Sequence, residues 1–308
     1  MRHRLFSYLL FLSAALPACA KEPPAPPPGV LAVRDLDYSG SGNPRQKLDL
    51  YLPEKPADKP LPLIVYIHGG GWEAGSKEDA GILDAFIKDG KYAAASIGYR
   101  LTQEQKWPAQ IHDVKAALRW LGAHAKDHGF DPNRIGLIGI SAGGHLVSLL
   151  GTSQGVTELE GTVGTQIPAP KIACIANFCG PANFITFPGK GSIIDPEKPG
   201  TAITKLFGGP MSQHLDEAKA ASPITYIDKD DPPFVHIHGT KDTLVPYEQA
   251  QEFDAALDKA GVSSTLLSGE GGPHVFFSLD LITKLRAFFD QHLLGLKTEV
   301  KEGPVAVQ

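Results

Sequence analysis

Gly139-Ile140-Ser141-Ala142-Gly143 decides how this chain is read, because of what flanks it. Arg134-Ile135-Gly136-Leu137-Ile138 in front is short, apolar and β-prone. His145-Leu146-Val147-Ser148-Leu149-Leu150 behind reads as the start of a helix. A serine between glycines at a strand-to-helix junction is a nucleophile elbow. The turn is so tight that the positions two before and two after the serine hold side chains only with difficulty. The serine oxygen is thereby held out at the C-terminal edge of its strand, and the next backbone N–H points where an oxyanion would form. The plain alternative is a glycine-rich turn carrying an exposed serine, and the strand-before, helix-after context argues against it.

Outward from the elbow, the pattern alternates. Residues 30–38 and 46–52 read as strands joined at Asn43-Pro44, the second with Leu48, Leu50 and Leu52 on one face. Residues 61–68 form a continuous apolar strand ending in glycines, 79–89 a helix and 92–99 a buried strand. Pro108 opens a helix carrying Ile111, Val114, Leu118 and Leu121 at helical spacing. After the elbow, strands are expected at 171–178, 233–238 and 262–267, and helices at 247–260 and 279–294. Antiparallel strands followed by β-α repeats predict an α/β fold: a mostly parallel sheet with helices on both faces. Residues 180–222, rich in Pro and Gly with short helices near 202–207 and 215–220, are expected to cap the strand C-termini.

Acyl transfer by a serine needs a base, a group that orients the base, and donors for the oxyanion. The base is expected after the last strand, where Gly272-Pro273-His274-Val275-Phe276 supplies His274. His236 and His238 lie in or at the end of a buried strand, His145 in the helix after the serine, and His292 at a helix end. His238 is the reserve base. The orienting carboxylate is Asp242, in His238-Gly239-Thr240-Lys241-Asp242, just past the preceding strand; a helix-capping role is its rival. Asp228, Asp230 and Asp231 precede that strand, at the wrong sheet edge, and Asp280 is the fallback. The order Ser141, Asp242, His274 is that expected of such a fold. His68-Gly69-Gly70-Gly71-Trp72 follows the strand 61–68. Gly70 and Gly71, with Ala142, are the expected oxyanion donors. A phosphate loop would need a following Lys-Ser/Thr, which is absent. Trp72 and His68 are assigned to the substrate pocket, with packing as the alternative for Trp72.

Composition narrows the rest. The 308 residues, 42% hydrophobic and 20% charged, suffice for a large core. A net charge of −5, with no basic cluster interleaved with aromatics, gives no sign of nucleic-acid binding. No Cys/His spacing suggests zinc, and neither metal nor cofactor is expected. Residues 1–20 read as an export signal: Arg2, His3 and Arg4 precede an apolar run at 5–16, too short for a comfortable membrane span. Ala18-Cys19-Ala20 fits cleavage before Lys21, while Leu16-Pro17-Ala18-Cys19 looks like a lipobox that would leave Cys19 lipidated. Both readings export the protein, to the periplasm or beyond. Residues 21–29 then form a proline-rich tether, 30–296 the catalytic domain, and 297–308 a disordered tail. Cys174 and Cys179, five apart on one expected strand, would face opposite ways, so two buried thiols are expected in place of a disulfide.

With these residues in hand, the chain resembles α/β-hydrolase fold esterases that carry a His-Gly-Gly-Gly oxyanion motif. The likeness runs from about residue 46 to 294. His68-Gly69-Gly70-Gly71-Trp72, Ser141-Ala142-Gly143-Gly144-His145-Leu146 and His238-Gly239-Thr240-Lys241-Asp242 are similar to the secreted bacterial acetyl xylan/feruloyl esterase-like (BD-FAE-like) enzymes, as is Asp131-Pro132-Asn133-Arg134-Ile135. The resemblance implies the fold, the triad, the oxyanion loop and a carboxylic-ester substrate, either a small ester or an esterified polysaccharide. It departs at the base, where relatives usually carry Gly-His-Gly-Phe. Related peptidases and formamidases share the motifs, so an amidase or small peptidase is the alternative. An oligopeptidase would be expected to carry an extra propeller domain, for which these 308 residues leave no room.

Overall fold

A computed structural model describes residues 24–188 and 191–307. The export signal, the lipidation of Cys19 and the start of the tether lie outside the described residues. The part of the tether that is described lies against the body: Arg34 donates to the Pro24 carbonyl at 2.6 Å.

Two strands, β1 (Val30–Asp37) and β2 (Lys47–Pro53), pair antiparallel across the Asn43-Pro44 turn. Then come β3 (Leu61–Ile67), a short helical stretch ending in α1 (Asp84–Ile87), β4 (Ala93–Ile97), and α2 (Ala109–His124). The segment around Ser141 is β5 (Phe130–Ile140) followed by α3 (Ala142–Thr152), and after α4 (Thr157–Glu160) comes β6 (Ile172–Phe178). The cap carries α5 (Ala202–Phe207) and α6 (Leu215–Ala220). The chain closes with β7 (Phe234–Gly239), α7 (Glu248–Ala260), β8 (Ser264–Gly269), α8 (Leu279–Leu294) and β9 (Gly303–Val305).

The sheet order is β1-β2-β4-β3-β5-β6-β7-β8-β9, with β2 antiparallel to β4 and every pair from β4 to β9 parallel. This is the expected α/β-hydrolase architecture: a mostly parallel sheet led by antiparallel strands. Alternation on β3 shows how both faces are covered. Leu63, Val65 and Ile67 join the core under α2, α3 and α7, whereas Ile64 and Tyr66 face α1 and α8. Burying each such side chain contributes about 1.5–3 kcal/mol.

Two expectations are corrected. The helix expected over 79–89 is only a 3-10 turn, Gly81–Leu83, running into the four residues of α1. Gly81 disfavours the helix by about 1 kcal/mol relative to alanine, and Asp79 instead accepts the Ser76 N–H in the turn before it. The tail is not wholly irregular. Gly303–Val305 pairs with Leu267–Gly269 and buries Val305, covering an otherwise open strand edge. Three residues carry too little periodicity to be read as a strand.

The interior holds histidines that titrate with the fold. His236 on β7 is wholly buried, stacked on Phe234 and edge-on to Phe253, and its Nε2 has no partner. Burial, with His238 close by, pushes its pKa down to about 3. A depressed histidine means that the unfolded chain takes the proton first. Stability is therefore complete above the unfolded pKa near 6.5 and is lost as pH falls toward the folded value. Substituting leucine removes this contribution. The unfolding free energy of His236→Leu relative to wild type should rise by about 3 kcal/mol between pH 7 and pH 4. Urea titrations across that range check it; a difference that stays constant with pH would rule out a neutral buried His236.

Candidate active site

Ser141 sits between the last residue of β5 and the first of α3, with φ 56° and ψ −119°. Such a conformation is costly for a residue with a Cβ and persists only where its surroundings enforce it. Two close approaches do so. A Cβ on Gly139 would lie 2.2 Å from the Gly143 carbonyl oxygen, and one on Gly143 would lie 2.0 Å from that of Ile67. Only glycine fits at either position, so α3 starts hard against the ends of β5 and β3. The Ser141 N–H donates to the Phe178 carbonyl at 2.7 Å, fixing the turn to β6 as well.

The loop after β8 brings His274 to the serine. Its Nε2 accepts from Ser141 Oγ at 2.9 Å, and its Nδ1–H donates to Asp242 Oδ2 at 2.6 Å. Asp242 follows β7, and its carboxylate is fully buried while His274 keeps 15% side-chain exposure. Asp242 Oδ1 accepts the N–H groups of Leu244 and Val245 at 2.8 and 3.1 Å. Burial alone pushes the Asp242 carboxyl up. Hydrogen bonds from His238 and His274 outweigh it and hold the group well below the usual carboxylate range, so it stays ionised.

His238 does not face the serine. It stands on the other side of Asp242, with Nε2–H 2.9 Å from Oδ2 and 2.9 Å from the Val245 carbonyl. Its Nδ1 is buried without a partner. The ring therefore carries its proton on Nε2 and gives Asp242 a second imidazole donor. The four-residue spacing from His238 to Asp242 was visible in the sequence, but it shows no contact until the turn after β7 is drawn. Asp280 lies in the first turn of α8, 3.4 Å from Lys284, and takes no part in the cluster.

Gly70 and Gly71 have φ of 99° and 59°, and both line the same cavity as Ser141 and His274. Ala142 is the first residue of α3, so its N–H has no helical partner. The cavity measures about 340 Å³ and is walled mainly by Trp72, Pro181, Phe187, Ile194, Ile203 and Leu244. Phe187, Ile194 and Ile203 come from the cap.

Trp72 lines the cavity and packs as well. It is 4% exposed, and its Nε1–H donates to His145 Nδ1 at 3.2 Å. His145 in turn donates from Nε2 to the Ala221 carbonyl at 2.6 Å, and burial pushes its pKa down to about 4. The placement of His68 in the pocket is corrected. It is fully buried, stacked on Tyr99 with centroids 4.3 Å apart, and its Nδ1–H donates to the Gly69 carbonyl at 2.8 Å. At the end of β3 its ring turns under the glycine loop, where burial also depresses its pKa to about 4.

Sequence reading missed Cys179 as a neighbour of the site. Both thiols are free and buried, as expected, but Cys179 does not continue the strand. It has φ 47°, its N–H donates to the Ile237 carbonyl at 2.8 Å, and its Sγ lies 3.9 Å from His274 Nε2. Burial, reinforced by the Asp242 charge, pushes its thiol pKa well up.

Known proteins agree with this picture. Esterase LipC of Mycobacterium tuberculosis is 31% identical over 249 residues, which is 77% of this chain; the chain spans 59% of that protein's length. A truncated carbohydrate esterase from gut microbiota superposes with a TM-score of 0.78 at 29% identity, covering 86% of this chain and 96% of that one. A propionate-bound esterase of Thermogutta terrifontis gives 0.66 at 27% identity, covering 90% and 97%. The BD-FAE family model matches residues 48–257, about two-thirds of the sequence, across the oxyanion loop, the elbow and Asp242. The chain belongs to the BD-FAE family.

Proposed function

We propose that this chain is an exported serine carboxylic-ester hydrolase acting on short acyl esters, acetyl groups on polysaccharide among them. One observation carries the reading: Ser141 Oγ, His274 and Asp242 lie in hydrogen-bonded line at the edge of an apolar cavity. The carbohydrate esterase and the propionate-bound esterase support the sugar-ester class and the small acyl group. The basic and apolar segments of residues 1–20 support export.

Chemistry follows from the hydrogen bonds. The ester carbonyl carbon is attacked by Ser141 Oγ while His274 Nε2 takes the hydroxyl proton. Asp242 holds the tautomer that leaves Nε2 free to accept and stabilises the imidazolium that forms. The carbonyl oxygen becomes an oxyanion, received by the N–H groups of Gly70, Gly71 and Ala142; one such donor is worth about 3–4 kcal/mol in the transition state. Collapse breaks the bond to the alcohol, which leaves with the proton from His274. Water, deprotonated by the same nitrogen, then frees the acyl group and restores Ser141.

Ser141→Ala should lower kcat on order of 10⁴-fold or more, leaving what the oxyanion donors alone supply. An organophosphonate should label Ser141 in wild type, identified by peptide mass; label on another serine with an active variant would refute the assignment.

His238 is a positioning residue acting through Asp242. A hydrogen bond to a charged group is worth about 1.5–3 kcal/mol, so His238→Ala should lower kcat about 10- to 100-fold with KM nearly unchanged. His238→Gln, which keeps a donor, should recover part of the loss. Equal kcat deficits in the two variants would point to packing alone.

Acyl preference follows from the wall of the cavity. At about 340 Å³ it lies near the lower end of ligand pockets, about 300–1,000 Å³. Phe187 and Ile203, each 1% exposed, fill the cap side. Burial of each further methylene is worth up to about 0.8 kcal/mol only while there is room. Across p-nitrophenyl esters, kcat/KM should peak at acetyl to butyryl and fall by octanoyl, and Phe187→Ala should move the peak to longer chains. A rise continuing to decanoyl in wild type would contradict a small acyl pocket.

A further inference from the structure

Among the described residues, Cys179 lies 3.9 Å from His274 Nε2 with no task in ester hydrolysis, and its position fits a different ligand. Cys179, His274 and Asp242 can each offer an atom within 4.8 Å of the others, and they form the one such group of metal-ligating side chains among the described residues. Thiolate and imidazole together are the donors that zinc and cadmium select.

Spacing agrees with chemistry. Zinc binds imidazole nitrogen at about 2.0–2.1 Å and thiolate sulfur at about 2.3 Å. An ion shared by His274 Nε2 and Cys179 Sγ, 3.9 Å apart, would then see them at roughly 130°, wider than tetrahedral by an amount that a small side-chain shift removes. Ser141 Oγ, 2.9 Å from Nε2, stands ready as a further oxygen donor, and the cavity admits water for the remaining position. On the far side of the ring, Asp242 accepts the Nδ1–H at 2.6 Å. A histidine whose other nitrogen donates to a carboxylate is the usual arrangement around metal-bound imidazole, because it fixes the tautomer and raises ligand basicity. The geometry that prepares His274 as a base thus also prepares it as a metal ligand.

The geometry points to an inhibitory binding site for a thiophilic divalent cation, Zn²⁺ or Cd²⁺, formed by Cys179 Sγ and His274 Nε2 with Asp242 as the outer partner. The ion enters through the cavity, between Ser141 and His274. As the sulfur–metal bond forms, the thiol proton leaves to solvent, with no change of oxidation state. Bound there, the ion occupies the lone pair that must accept the serine proton, so hydrolysis stops until the ion is withdrawn. The consequence for turnover rests on the esterase reading; the site itself does not.

Cadmium titration of the full-length protein separates the two. Two signals are followed: the ultraviolet thiolate-to-cadmium charge-transfer absorption and hydrolysis of p-nitrophenyl acetate. In wild type the absorption should saturate at one ion per chain in step with loss of turnover, and excess EDTA should restore activity. Cys179→Ser and Cys179→Ala should abolish that absorption and need at least about 10-fold more cadmium for half-inhibition. His274→Ala retains the thiol but loses the partner, so its cadmium affinity should fall by a similar factor, read by absorption alone. That variant serves if both cysteine variants fail to fold, which circular dichroism reveals. Absorption that persists in the Cys179 variants places the ion on Cys19 or Cys174 and overturns the proposal, as does inhibition that is equal in wild type and both Cys179 variants. A wild type that binds cadmium at Cys179 but hydrolyses no ester would refute the esterase reading and leave the site standing.

Discussion

Everything at this site depends on one steric constraint: α3 begins where only glycine allows it to. The Ile67 oxygen would stand 2.0 Å from a Cβ on Gly143, and the Gly143 oxygen 2.2 Å from one on Gly139. The ends of β3, β5 and α3 are therefore locked together at one point. That lock forces Ser141 into its left-handed conformation and aims its oxygen away from the sheet. It also places the loop after β3, with Gly70 and Gly71, beside the start of α3. Ser141 and the glycines of that loop share one origin, so neither can drift without the other.

Electrostatics follow from where that point lies in the sheet. Parallel strands β5, β6 and β7 end side by side, and the residues just beyond them are Ser141, Cys179 and the turn carrying Asp242. Burying a carboxylate this deeply would normally neutralise it. Two backbone N–H groups and two imidazoles prevent that, and the charge survives. The second imidazole, His238, comes from the end of β7 itself, so the strand that leads into Asp242 also supplies its stabiliser. His274, left with 15% exposure, is the member of the line that reaches solvent and lines the cavity beside Ser141.

Period-two and period-3.6 patterns made most of the fold legible. β3, α7 and α8 read nearly as they stand because their apolar residues face cores on known sides. What escaped had no period to read. Three residues at 303–305 become a strand only because β8 offers an open edge. The stretch around Gly81 lost its helix to a local turn. The meeting of Ser141, Asp242 and His274 could be anticipated because strand order fixes which loops gather at one edge. The placement of His68 could not. A histidine ending a strand can turn outward or under the following loop, and stacking on Tyr99 from β4's far end decided it. Cys179 was hidden for a related reason: the alternation rule assumes an extended backbone, and a φ of 47° breaks it.

The cap is tied to the glycine loop and α3 through a neutral histidine. Trp72 ends the glycine loop, donates to His145 on α3, and His145 donates to Ala221 at the base of the cap. For both bonds to exist, His145 must hold a single proton, on Nε2; a second would turn Nδ1 from acceptor into donor and oppose the Trp72 N–H. Full burial enforces the neutral form by pushing the pKa to about 4. The glycine loop after β3, α3 and the base of the cap are thus held in one register by hydrogen bonds that need no charge. Deep burial of His145 is what keeps the mouth of the cavity in shape, whereas Asp242 keeps its charge in spite of burial, through the donors around it. The two residues show the same low-dielectric interior selecting opposite ionisation states, because one has four donors around it and the other has one donor and one acceptor.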